Sequence, residues 1–220
     1  MLKESTNIEK KLPALMNLAR FEAFTDGVFA IAMTLLVIEI KVPLLPKTGA
    51  GFQWMIENLG HQILSYLSSF IVIGVIWINH HALFHLLKRV DRTTLALNLF
   101  LLMSVAFIPF STALVGENAH HTTALVFYGL CLGLTGILYN LLWFYVMRQY
   151  IRSQNLMEGK TTQRTTFWSV SFPLAYLAAA AIAPLNHSVA IGFYVLIPLY
   201  YLLPGVIDRH LGTQGVSHPG

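Results

Sequence analysis

Apolar residues run along this chain in six long blocks, near residues 20–42, 62–85, 94–115, 122–147, 166–184 and 188–207. Charged residues or Pro, Gly and Asn turn formers close each block. A helix needs about twenty mostly apolar residues to cross the roughly 30 Å hydrocarbon core, because each residue adds about 1.5 Å of rise. The pattern therefore predicts an all-α, polytopic membrane protein with six transmembrane helices. Only Pro184–Leu185–Asn186–His187 separates the last two blocks, so these must form a tight antiparallel hairpin. The longest connection, residues 43–60, has neither the length nor the composition of an independent unit. One membrane domain over residues 20–207 is expected, flanked by an N-terminal segment, 1–19, and a C-terminal tail, 208–220.

Composition narrows this further. Of the 220 residues 55% are hydrophobic and 11% charged, whereas a soluble domain carries about 25% charge. The single cysteine, Cys131, lies inside an apolar block, which excludes an intrachain disulfide and any cysteine-based zinc cluster. A net charge of +4 would suggest nucleic acid if the cations formed one patch, but they do not. Twelve of the 14 Lys and Arg lie at or before the start of the first block or after the second, fourth and sixth, and only Lys41 and Lys47 lie on the other side. Cytoplasmic loops accumulate Lys and Arg, so both termini are expected in the cytoplasm and the chain in a cell membrane, with lipid as its surroundings and no nucleic-acid partner. Trp54, Trp77, Trp143 and Trp168 lie near block ends or among apolar residues, as interfacial anchors or helix contacts.

The first block carries the unusual chemistry. Arg20, Glu22 and Asp26 open it, and an ionisable group at membrane depth faces protein or water because exposure to lipid is expensive. Arg20 and Asp26 are about 9 Å apart along a helix axis and about 120° apart around it, so they cannot pair on one straight helix. A partner for Asp26 is expected on the second block, where Trp77–Ile78–Asn79–His80–His81 offers donors at similar depth; His80 is the preferred buried candidate. Arg20, Phe24, Gly27, Ile31, Thr34 with Leu35, and Ile38 recur at three- and four-residue intervals and share one helix face. By spacing alone that stripe is a packing surface.

Arg20–Phe21–Glu22–Ala23–Phe24–Thr25–Asp26–Gly27 resembles the Arg-x-x-x-Phe-Ser-Asp signature that opens the first helix of the transmembrane protein 175 family of potassium channels, with Thr25 in place of Ser. The resemblance extends to Val28–Val42, to Trp77–His81 and to Pro109–Phe110–Ser111–Thr112–Ala113–Leu114. It implies a passive, potassium-permeable pore lined by the first helix of each subunit, with a hydrophobic constriction in place of a carbonyl filter. Ile31 falls at the family's narrowest apolar ring, and Thr34, Leu35 and Ile38 at the adjoining pore-facing layers. Arg20, Phe24, Thr25 and Asp26, with Trp77, His80 and His81, fall in the polar network that holds the pore helix. Vertebrate members resemble a duplication of the six-helix unit. Here the signature occurs once, which implies a homotetramer. Potassium is the expected permeant ion and no cofactor is implied. The sequence contains no Thr-Val-Gly-Tyr-Gly filter, so stacked carbonyls cannot select.

Three other classes are weighed on the same residues. His80, His81 and His85 present imidazoles as a metal transporter would, but beyond Glu22 at the block's edge only Asp26 and Glu39 supply carboxylates within the blocks. A proton-coupled carrier would use Asp26 beside the second-helix histidines, with Pro109, Pro173 and Pro198 interrupting its helices. An enzyme needs a nucleophile with a base or a metal triad, and no such pattern occurs. Ser65, Ser68 and Ser69 read as interhelical hydrogen-bonding residues, and Glu39 as a helix-end charge beside Lys41 or a cation attractant.

Overall fold

The computed structural model describes residues 17–41, 51–87, 90–154 and 160–202. Residues 1–16 of the expected N-terminal segment 1–19, residues 203–207 of the sixth block, the whole expected tail 208–220, and the basic residues Lys47, Lys88 and Arg89 lie outside the described residues. Within them the chain is helical: α1 (Leu18–Ile38), α2 (Phe52–Phe84), α3 (Arg92–Glu117), α4 (Thr122–Gln154), α5 (Lys160–Ile182) and α6 (His187–Leu202). Local chemistry sets the visible ends. Asn17 caps α1 by accepting from the Ala19 amide at 3.1 Å, and Asp91 caps α3 by accepting from the Thr94 amide at 2.8 Å, each satisfying an orphan N–H of a first turn. Asn186 does the same for α6 through Val189 N at 3.1 Å, so the expected α5–α6 hairpin turns within residues 183–186.

Helices and apolar blocks are not coextensive. α2 starts ten residues before its apolar block and α4 runs seven beyond its own. Hydropathy locates the lipid-immersed stretch, whereas backbone hydrogen bonding carries a helix past it. Among the described residues, four stretches are long and apolar enough to cross a membrane: Leu18–Ile38, Leu59–Phe84, Arg92–Glu117 and Thr122–Ile151. Val170–Ile182 and His187–Leu202 are apolar but shorter. The chain is therefore a multi-pass, all-helical membrane protein.

Packing divides the helices by role. α4 presents Gly129, Gly133 and Gly136 to α5, so closely that an added Cβ at Gly133 would sit 2.7 Å from Leu177 Cδ2 and one at Gly136 2.9 Å from Pro173 Cβ. Small residues at such spacing let two backbones approach where lipid offers no hydrophobic drive. Tyr194 of α6 closes the same seam by donating to the Leu125 carbonyl at 2.8 Å. By contrast, α1 touches only α2 and α3 among the described helices. It is a peripheral helix with a single packed face.

Candidate functional site

The two faces of α1 have opposite fates. Phe21, Thr25, Phe29, Ala32 and Leu36 are buried against α2 and α3 at intervals of four, four, three and four, one stripe of a helix. The other stripe lies open. Arg20, Phe24, Gly27, Thr34 and Leu35 are exposed, with Ile31 at 60% and Ile38 at 72%. Thr34 is the one hydroxyl on this apolar face, and it donates to the Ile31 carbonyl at 2.9 Å. Its proton is thus engaged along the helix, and the oxygen turns lone pairs outward.

The base of α1 is held by two polar contacts. Asp26 Oδ1 accepts from the indole Nε1 of Trp77 at 2.8 Å. Trp77 is one of the donors expected from the Trp77–His81 segment; the preferred candidate, His80, 3% exposed, is committed elsewhere. Its Nε2 donates to Asn98 Oδ1 of α3 at 2.8 Å, and Asn98 Nδ2 donates to Thr25 Oγ1 of α1 at 3.0 Å. One buried amide therefore ties α1, α2 and α3 together. The His80 ring stacks on Phe84 with centroids 4.3 Å apart and meets Phe29 at 5.7 Å, while Phe21 meets Phe84 at 5.0 Å. A hydrogen-bonded imidazole in an aromatic slot avoids the cost of an unpaired buried polar group.

Of the network residues expected from sequence, Thr25, Asp26, Trp77 and His80 come together. Arg20 and Phe24 lie on the open face. His81 is exposed, joined to the group only by stacking on Trp77 at 5.8 Å. Asn98 was missed, although an amide inside the apolar run Leu95–Leu102 signals a buried partner. At the other end of α1, Lys41 pairs with Glu117 of α3 at 2.8 Å and its amide donates to Gln62 Oε1 at 2.9 Å, so the Lys41 side chain reaches a carboxylate other than Glu39. Deeper in the bundle, Thr112 donates to Ser69 at 2.7 Å and Ser69 shares a proton with Tyr128 at 2.8 Å, linking α2, α3 and α4.

A further anchor sits in the α2–α3 connection, outside the membrane-crossing stretches. Burial would raise the Asp91 carboxyl, but hydrogen bonds from Tyr145, from the Thr94 side chain and amide, and from Gln149 together hold it below the usual Asp range. A carboxyl depressed on folding binds a proton more readily when unfolded, so its stabilisation is complete above the unfolded value and is lost as pH falls through the folded one. Thermal unfolding in detergent should show stability falling below the usual Asp range, by less in Asp91→Asn. An identical acid profile in that variant would remove Asp91 as the cause.

Comparison with known proteins falls on this same region. The family described as endosomal/lysosomal potassium channel TMEM175 matches residues 20–109, which span α1, the Trp77–His81 segment and Asn98. A potassium channel of Streptomyces collinus is 36% identical over 190 residues, 83% of this chain and 90% of that protein. A potassium channel of Chamaesiphon minutus is 35% identical over 198 residues, 87% of this chain and 96% of that one. The chicken endosomal/lysosomal proton channel TMEM175 is 36% identical over 107 residues, 46% of this chain but 21% of its own length. Among solved structures, a lysosomal potassium-selective channel TMEM175 homologue from Chamaesiphon minutus superposes with a TM-score of 0.69 at 32% identity, over 84% of this chain and 95% of that one.

Proposed function

The chain belongs to the TMEM175 family, and from that premise we propose that it forms a passive potassium-permeable channel whose pore is lined by α1. The observation that carries the proposal is the open face of α1: an apolar stripe of a membrane helix that packs only through its opposite side. In a homotetramer, four copies of that face surround a common axis. Ile31 then forms the hydrophobic constriction and Thr34, Leu35 and Ile38 the adjoining layers. Thr34, its proton already donated to Ile31, offers oxygen lone pairs to a partly dehydrated cation. Arg20, Phe24, Thr25, Asp26, Trp77, His80 and His81 position α1 and do not bind the ion. Six membrane crossings, with α5 and α6 as the last pair, both termini in the cytoplasm and residence in the cell membrane complete the reading; the distribution of Lys and Arg supports it.

The engagement of Asp26 with Trp77 and of His80 with Asn98 weighs against a carrier that loads protons or metal on these groups. The expected result is potassium uptake into proteoliposomes driven by a potassium gradient alone, with a protonophore present to collapse any proton gradient. Uptake that requires an imposed proton or metal gradient would replace the channel with a carrier. Because vertebrate relatives carry the name proton channel, a pH-sensitive dye in the same vesicles without protonophore tests protons as a second permeant ion.

A further inference from the structure

At the end of α2, beyond the buried His80, two exposed imidazoles converge. His81 Nε2 and His85 Nε2 are 3.1 Å apart, with ring planes at 85° and centroids 4.6 Å apart. We propose that His81 and His85 form a bidentate site for a divalent transition-metal cation of the zinc, copper or nickel class. Metal–imidazole bonds are about 2.0–2.1 Å long, so two ligands separated by about 90° around one ion place their nitrogens about 3.0 Å apart, and a tetrahedral angle places them about 3.4 Å apart. The observed spacing lies between these limits. The α-helix supplies it, because residues i and i+4 stand one above the other on one face.

The existing contact makes this arrangement exchangeable. Two imidazole nitrogens can share a hydrogen bond only if one carries the proton and the other a lone pair. Moving that proton to Nδ1 of the donor ring leaves two lone pairs facing one point, with no net gain or loss of protons. Imidazole suits zinc, copper and nickel better than hard alkaline-earth ions. No group of three His, Cys, Asp or Glu side chains converges among the described residues, so water completes the coordination sphere. This is the sphere of an exchangeable site, and it differs from a closed structural one. His81 also stacks on Trp77, whose indole holds Asp26, so an ion here sits one ring away from the anchor of α1. The inference does not depend on what the chain conducts.

The test uses purified full-length protein in detergent and Cu²⁺ as the probe, read by electron paramagnetic resonance and by quenching of tryptophan fluorescence. Wild type should show two equatorial nitrogen donors, and the quenched fraction should fall in Trp77→Phe. His81→Ala and His85→Ala should each weaken binding at that site at least tenfold and leave a one-nitrogen spectrum. A measurement on the unaltered chain guards against misfolded variants: Ni²⁺ should protect His81 and His85 from diethyl pyrocarbonate, read by peptide mass spectrometry, more strongly than it protects His61 and His120. Two-nitrogen copper binding that persists in both alanine variants, or no Ni²⁺ protection of His81 and His85, would overturn the site.

Discussion

Ile31→Asn is expected to raise conductance several-fold and to erode the preference for potassium over sodium. In the proposed tetramer, four isoleucines around the axis would present no hydrogen-bonding group, so an ion crossing them would shed water without replacement. Four amides wet the same ring and widen the range of ions that pass. Each 1.4 kcal/mol or so removed from a barrier is about tenfold in rate. Ile31 is 60% exposed in the single chain, so the substitution removes little of the packing within one chain, which separates a pore effect from misfolding. Bilayer recordings with potassium on one side and sodium on the other report both quantities. An unchanged reversal potential together with unchanged conductance would remove Ile31 from the conduction path.

The second large effect concerns stability. Asn98→Ala deletes both hydrogen bonds of the buried amide and strands the His80 and Thr25 side chains, each 3% exposed or less. Leaving a buried polar group unsatisfied costs about 1–3 kcal/mol, although interhelical bonds in membranes average nearer 0.6 kcal/mol. A loss of about 2 kcal/mol is expected, seen as a drop of several degrees in the unfolding temperature in detergent. The combined variant Thr25→Val, His80→Phe, Asn98→Leu removes the polar groups along with their bonds, so it should recover part of the loss. Should Asn98→Ala unfold at the wild-type temperature, the amide is not what binds α1 to its neighbours.

Different physical signals made different parts of this molecule legible. The third and fourth spans could be read to within a few residues at their first ends, because the capping residue Asp91 and the turn before Thr122 coincide with the edge of apolar sequence. The long start of α2 could not, because residues 52–61 are helical while Gln53, Glu57, Asn58, Gly60 and His61 interrupt the apolar pattern. The open stripe of α1 was readable from its period, but which side is packed was not. Phe21, Phe29 and Leu36 are as apolar as Phe24, Ile31 and Ile38, so only contacts distinguish the two faces. For Asp26, sequence supplied the helix and depth of its partner but not the choice of indole over imidazole, which depends on Asn98 claiming His80 first. The Gly129-x-x-x-Gly133 spacing on α4 is a close-contact signal that the sequence itself displays.

The fastenings of α1 are unequal, and mechanics follows from that. Near its start, Thr25 and Asp26 are clamped by Asn98 and Trp77. Near its far end the side-chain tie is the Lys41–Glu117 bridge, with Lys41 72% exposed, and such pairs contribute about 0–1 kcal/mol. The helix is a lever with its fulcrum by Thr25, and the arm beyond it is held by the apolar packing of Phe29, Ala32 and Leu36. From Thr25 to Ile38 that arm measures about 20 Å at helical rise, so a tilt of about 3° swings its tip by about 1 Å. Ile31, nearer the fulcrum, travels about half as far as Ile38, so one small swing changes the two levels by different amounts.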